Sequence, residues 1–248
     1  MELYSLQNLV APKDFEIQIV EQTDSTNDHL LRLAQQGSVP NIVLLARSQT
    51  RGKGSKNRQF FSPKGGIYLS MLLKDIDLSL LPLITPMAAV ALYEAILPHT
   101  EKKLAIKWVN DIYLEEKKLC GILTESKFLG KKHITVVGVG INLVAPKGDF
   151  PNGFLHPATA LLNRPNTAVA ENIINAFLKK FIAILENKTI PLLYKECCCT
   201  LGREVSLRQG DKVFCGKAVD ISENGALIIR LADGSHKAFT SGEVTSQI

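Results

Sequence analysis

The sequence predicts a mixed α+β main domain followed by a small all-β domain, on three observations. Apolar runs of strand length alternate with segments of helical period through most of the chain. Near residue 200 the texture changes to short β-type runs. Those runs are separated by "QGD", "ENG" and "DGS", which are tight-turn signals. The resulting boundaries are 1–199 for the main domain and 200–248 for the β domain.

The elements follow in order. "DFEIQIVEQ" alternates apolar and polar residues and predicts a strand. In "DSTNDHLLRLAQQG", Asp24, Ser25 or Thr26 can cap a helix that ends at Gly37. "NIVLLARS" and "GGIYLSMLL" are buried-type strands on either side of a basic loop. Residues 79–97 predict a helix whose prolines fall in its first turns or just before it. Residues 103–126 predict two strands joined by the charged turn Glu115–Lys117. "HITVVGVGINLV" is apolar throughout, as expected of a strand covered on both faces. Residues 167–187 have helical spacing, with a shorter helix after Pro191. Beyond residue 200, Asn224-Gly225 and Asp233-Gly234 suit hairpins, and about five strands closing into a small barrel is the natural reading.

Composition narrows the function. A hydrophobic share of 46% and a charged share of 21% suit a soluble globular protein. The net charge of +5 is mild for a nucleic-acid-coating protein, so local clustering carries more information than the total. Three of the five cysteines are consecutive (Cys197–Cys199), which suits neither a disulfide framework nor a zinc knuckle and reads as a thiol patch at a helix end. The N-terminus lacks a signal-peptide layout, and Pro82 and Pro86 interrupt the longest uncharged apolar stretch, so the expectation is a cytoplasmic protein without a membrane span.

The basic loop "QTRGKGSKNRQFFSP" is the most unusual stretch. No carboxylate occurs from His29 to Lys74, although eight lysines and arginines do. It is not a Walker A loop, because Gly52 is followed five places on by Asn57 rather than glycine. "VGVGIN" lacks the third glycine of a dinucleotide fingerprint, and no helix-turn-helix pattern is present. Two readings stay open: a solvated surface loop, or an anion-binding loop in which Gly52 and Gly54 turn backbone N–H groups toward a ligand. A second polar group sits in "IKWVNDIYLEEKKLCGIL", where Lys107, Asn110, Asp111 and Lys118 lie at strand ends; a charged hairpin tip is the plain alternative. Asn110 and Asp111 are candidate magnesium ligands, and Asn142 closes an apolar strand.

Taken in order, these motifs resemble those of the biotin–protein ligases over nearly the whole chain. The family's D-S-T-N turn is matched by Asp24–Asn27, and its Q-x-x-G-R-G-R-x-G-R-x-W loop with F-S-P aligns without gaps on "QTRGKGSKNRQFFSP". K-W-P-N-D, K-L-x-G-I-L, G-x-G-I-N, A-T-S-L and S-G-E-V-S are matched by "KWVND", "KLCGIL", "GVGIN", "ATAL" and "SGEVTS". The resemblance implies a class II aminoacyl-tRNA synthetase-like catalytic domain and an SH3-like C-terminal barrel. It also implies a two-step, ATP- and magnesium-dependent ligation. Biotin's carboxylate attacks the α-phosphorus of ATP, and a lysine of a carrier domain then attacks the resulting biotinyl-adenylate. The carrier would belong to acetyl-CoA carboxylase or another biotin-dependent carboxylase.

Carried over position by position, Lys118 is the catalytic cation. Ser25, Thr26, Asn27, Gln49, Lys53, Gly54, Ser55, Lys118 and Gly121 surround biotin. Arg51, Lys56, Arg58, Phe60, Lys107, Asn110, Asp111 and Asn142 serve ATP and the adenylate. The loop becomes a lid that shields the anhydride from water. Departures are Lys53, Ser55, Asn57 and Phe60 where the pattern has arginine, arginine, glycine and tryptophan, and Val109 for proline. Ser55 in particular predicts weaker retention of the adenylate, with Lys56 and Arg58 as compensating cations. About fourteen residues precede the first catalytic-domain strand, so no DNA-binding role is expected; a homodimer is left open. The competing readings are a lipoate or octanoate ligase or transferase of similar fold, and a non-enzymatic nucleic-acid-binding module.

Overall fold

The computed structural model describes residues 6–37, 40–56, 58–130, 132–151 and 157–246. Its main sheet has seven strands: β1 (Phe15–Val20), β2 (Asn41–Ala46), β3 (Ile67–Lys74), β4 (Leu104–Lys107), β5 (Asp111–Leu114), β6 (Lys117–Leu129) and β7 (Lys132–Ile141). Their order across the sheet is β1-β2-β3-β7-β6-β5-β4, with only β1 and β2 parallel. The helices are α1 (Thr26–Gln35), α2 (Leu81–Ile96, flanked by 3-10 turns), α3 (Thr167–Asn187) and the single turn α4 (Leu193–Glu196).

Strand alternation assigns the two faces. On β2, Ile42 and Leu44 join Leu72, Ile134 and Val136 beneath Leu30, Leu31 and Ala34 of α1. Val43 and Leu45 point the other way, into the larger core under α2 and α3. Burial of each such leucine stabilises by roughly 1.5–3 kcal/mol. Asn166 caps α3 by accepting from the Val169 N–H, and the helix ends on Lys188 in the left-handed region (φ 58°). Among the described residues one helix, Leu78–His99, is long and apolar enough to cross a membrane, but most of it is buried between the sheet and α3.

Residues 103–126 form three strands rather than the two expected. The apolar run "IKWVNDIYL" is broken after Lys107 because Trp108 leaves the sheet for the C-terminal unit. Its backbone N–H donates to Thr200 Oγ1 (3.0 Å) and its indole to the Gly225 carbonyl (3.0 Å). The Trp108–Val109 peptide is cis. Gly225 has φ +78°, which glycine adopts without strain at this turn.

The C-terminal unit is a five-stranded antiparallel sheet, ordered β11-β10-β9-β8-β12, from β8 (Glu204–Gln209), β9 (Lys212–Ile221), β10 (Leu227–Leu231), β11 (His236–Phe239) and β12 (Glu243–Ser246). Its inward residues, Val205, Leu207, Ile229 and Phe239 among them, belong to the same apolar cluster as α2, α3 and Trp108. The five cysteines are free; Cys198 is buried and Cys197 and Cys199 half-buried just after α4, as the sequence reading anticipates.

Candidate functional site

The site is built on one row of residues crossing the sheet. Pairing places Tyr68 opposite Gly140, Gly140 opposite Gly121, Gly121 opposite Asp111 and Asp111 opposite Lys107, so all five share a face. The next row on that face is Ser70, Gly138 and Leu123. Glycines in mid-strand cost stability, and here they hollow the face where neighbours approach. A Cβ on Gly138 would collide with Asn27 Oδ1, one on Gly140 would press into the Phe60 ring, and one on Gly121 would lie 3.3 Å from Lys118 Nζ.

The start of α1 forms one wall. Asp24 organises it: Oδ1 accepts the Ser25 N–H at 2.8 Å, while Arg32 grips both carboxylate oxygens at 2.8 Å and Arg51 reaches Oδ2 at 3.2 Å. The Arg32 hydrogen bonds, against the opposing effect of burial, hold the Asp24 carboxyl far below the usual carboxylate range. Ser25 caps the helix by accepting from the Asp28 N–H.

Behind the cap lies a buried polar network whose donors can be counted. Asn27 Nδ2 donates to Glu125 Oε2 (2.8 Å) and the Leu123 carbonyl (3.2 Å), so its Oδ1 faces Ser70 Oγ at 2.6 Å and accepts from it. Ser70 Oγ also lies 2.7 Å from Thr26 Oγ1, and the Thr26 hydroxyl donates to Gln49 Oε1 at 3.1 Å. Gln49 Oε1 then receives the Thr26 backbone N–H at 2.8 Å, while its Nε2 donates to Ser62 Oγ at 2.8 Å. Gln49 thus braces the exit of the basic loop against the start of α1.

The basic loop covers this floor. It folds back on itself through Gly54 N–H to Arg58 O (2.7 Å) and Phe60 N–H to Gly52 O (2.8 Å). Lys53 pairs with Asp28 at 2.6 Å and Glu125 at 3.3 Å, and although burial opposes it, these carboxylates raise its pKa. Arg58 pairs with Glu243 of β12 at 2.6 Å and Lys56 donates to the Arg208 carbonyl of β8 at 3.3 Å, so the loop is strapped to the C-terminal unit. Phe60 meets Tyr68 edge-on with centroids 6.4 Å apart. Asn57 lies outside the described residues.

Two adjoining cavities result, both open to solvent. Ser25, Thr26, Asn27, Gln49, Lys53, Asn110, Gly121 and Gly138 line the first. Arg58, Phe61, Asn142, Phe150 and Ala158 line the second. Gly54, Ser55, Phe60 and Lys118 line both. Lys118 Nζ stands 2.7 Å from Asp111 Oδ1, and its backbone N–H is held by Pro157 O at 2.8 Å. Asn110 spends its amide NH2 on the Ile122 carbonyl (2.8 Å), which leaves its oxygen as the group that could ligate a cation. Burial pulls Lys107 down to about 8, with Lys118 adding to the effect and Asp111 opposing it; the same burial pushes Tyr113 up.

Most of the residues singled out from sequence meet here. Arg51, Lys56, Lys107 and Asp111 line neither cavity: Arg51 and Lys56 tie down the loop, while Lys107 and Asp111 stand beside Lys118. Cys120 is fully buried and its thiol is pushed well up by burial, in keeping with packing. Ser70 and Glu125 were not legible as site residues, and Ser62 entered only as part of the F-S-P match. For Ser70 the available signal was a serine inside the apolar run "GGIYLSMLL".

The family model described as Biotin/lipoate A/B protein ligase family matches residues 19–142, and Biotin protein ligase C terminal domain matches 200–245. The Bacillus spizizenii Bifunctional ligase/repressor BirA is 30% identical over 227 residues, 88% of this chain and 70% of that protein. The Paracoccus denitrificans Biotin--[acetyl-CoA-carboxylase] ligase is 30% identical over 224 residues, 86% of this chain and 93% of that protein. Among solved structures, the Aquifex aeolicus biotin protein ligase in complex with biotin and ATP matches with a TM-score of 0.74 and 28% identity, over 94% of this chain and 98% of the other.

Proposed function

The chain belongs to the biotin/lipoate A/B protein ligase family, and from that membership we infer what each part of the site does. It is an ATP-dependent biotin–protein ligase that activates biotin as biotinyl-5'-AMP and transfers the biotinyl group to a carrier-protein lysine. The observation that carries the division of labour is that Lys118 lines both cavities. The first, with its neutral hydrogen-bonding wall, takes biotin; the second, bordered by Arg58, Phe60 and Asn142, takes the nucleotide. A carboxylate from one and an α-phosphate from the other meet beside the Lys118 ammonium.

That meeting needs cations, because a carboxylate approaching a triphosphate is repelled and the transition state concentrates negative charge. Lys118 offsets charge at the attacking carboxylate as the bond to phosphorus forms and pyrophosphate leaves. Arg58 and Lys56 hold the loop over the adenylate and keep water from the anhydride. In the second step the carrier lysine's neutral amine attacks the acyl carbon, AMP departs and an amide remains. Ser25, Thr26 and Asn27 fix the ureido end, Gln49 keeps their wall in register, and Lys53, Gly54, Ser55 and Gly121 enclose the chain of biotin.

Asn110 and Asp111 are the groups that would hold magnesium, which supplies positive charge to the phosphates. One amide oxygen and one carboxylate fit an ion that takes few protein ligands and keeps water and phosphate for the rest. Lys107 acts on the nucleotide through its charge. The carrier is that of acetyl-CoA carboxylase or another biotin-dependent carboxylase. We propose a cytoplasmic enzyme with units 1–199 and 200–248 that acts off DNA and off membranes, with a homodimer as the assembly to examine by sedimentation.

The C-terminal module favours biotin over lipoate within this family. Incubation with ATP, magnesium, a carrier domain and labelled biotin or lipoate decides it. Label on the carrier from biotin alone is expected; label from lipoate alone would overturn the assignment.

A further inference from the structure

We propose that Glu125 is a positioning residue of the biotin pocket that joins its lid to its floor through the two oxygens of one carboxylate. The inference rests on the assignment of the first cavity to biotin. Oε2 accepts from Asn27 Nδ2 at 2.8 Å, and Oε1 pairs with Lys53 Nζ at 3.3 Å. Asn27 is a floor residue: it is 3% exposed, its Oδ1 is held by Ser70, and it stands against Gly138. Lys53 is a lid residue, two positions before Ser55.

Asp28 cannot take this role, although it pairs with Lys53 at 2.6 Å. It sits on α1 beside the floor residue, while Glu125 sits on β6, the strand that carries Lys118 and Gly121. The carboxylate therefore sets the lid against the strand that supplies the catalytic cation. Its side chain is 26% exposed and that of Lys53 is 40% exposed, so the pair is screened and holds a position rather than a large share of folding energy. Asn27 Nδ2 also reaches the Leu123 carbonyl, so the floor persists without Glu125 while its tie to the lid is lost.

Two variants separate these parts. Glu125→Gln keeps an acceptor for Asn27 and removes the charge that faces Lys53; Glu125→Ala removes both. Calorimetry on the purified enzyme should show biotin binding weakened about fivefold by Glu125→Gln and at least about tenfold by Glu125→Ala, the range of a lost charge-assisted bond, with ATP affinity within about twofold. Trypsin cleavage within the lid should accelerate in both, with the thermal midpoint of Glu125→Gln close to the parent. On a Lys53→Met background, Glu125→Gln should add less than about twofold to the loss of biotin affinity.

Unchanged biotin affinity in Glu125→Gln, equal losses for biotin and ATP, or full additivity with Lys53→Met would each overturn the proposal. Should Glu125→Ala fail to fold, Glu125→Gln and the Lys53 cycle decide alone. A parent enzyme that neither binds biotin nor forms biotinyl-adenylate would instead overturn the assignment of the cavity itself.

Discussion

Lys118 and Asp111 form an ion pair of 2.7 Å at the seam of the two cavities, and the pair is set by register: Asp111 lies opposite Gly121, over which the Lys118 side chain folds. Gly121 makes the arrangement affordable, because a side chain there would lie 3.3 Å from the ammonium. The carboxylate holds the cation at the junction before either substrate arrives.

Removing that cation should cost catalysis more than folding. Lys118→Ala is expected to slow biotin-dependent pyrophosphate release by about 10²–10³-fold, the usual effect of losing a positioned electrostatic donor. The circular dichroism spectrum should be unchanged. Near-normal pyrophosphate release would remove Lys118 from the reaction.

The glycine row makes a sharper demand. Gly138→Ala would drive a methyl group into Asn27 Oδ1, disturbing the Ser70–Asn27–Glu125 network, so biotin affinity should fall by at least about tenfold. Gly140→Ala meets the Phe60 ring instead and should displace the loop, with the larger effect on ATP. Equilibrium binding of each substrate to each variant tests the difference; identical profiles would count against two cavities divided by Phe60.

These contrasts show what could be read beforehand. The helix with a cap among Asp24, Ser25 and Thr26, the buried strands and the small five-stranded unit follow from period, caps and turn residues that act locally. The loop's glycines and cations were equally plain. The split of residues 103–126 into three strands was not, because Trp108 is drawn out of the sheet by Thr200 and Gly225, about a hundred residues away. Glu125 and Ser70 were hidden for the same reason: their partners, Lys53, Asn27 and Thr26, are tens of residues distant and are brought near only by strand order.

Ser55 lines both cavities and accepts from Arg58 through its hydroxyl (3.0 Å) and carbonyl (3.2 Å). Ser55→Arg places a second guanidinium over the adenylate. Escape of labelled biotinyl-adenylate, followed by chasing with unlabelled ligand, should slow by about tenfold, the worth of one charge-assisted hydrogen bond. Equal off-rates would make the substitution silent.

Lys107 gives a pH signature. Burial holds its folded-state pKa at about 8, below the ordinary lysine value of 10.5, so the unfolded chain binds more protons between those limits. Its contribution therefore favours folding at high pH and is lost as pH falls from 10.5 toward 8. Urea unfolding of the parent and of Lys107→Met should differ more at about pH 7, where the variant gains relative stability, than at about pH 10. A difference independent of pH would exclude a desolvated ammonium as its source.

Trp108 is the chain's single tryptophan, and it stands where the two sheets join, two residues from Asn110 and three from Asp111. Intrinsic fluorescence therefore has one origin in this molecule. Blue-shifted emission from a buried indole reports an intact seam between the sheets, and a red shift reports its opening to water. Ligand titration and denaturation can thus be followed at the junction without attaching a dye.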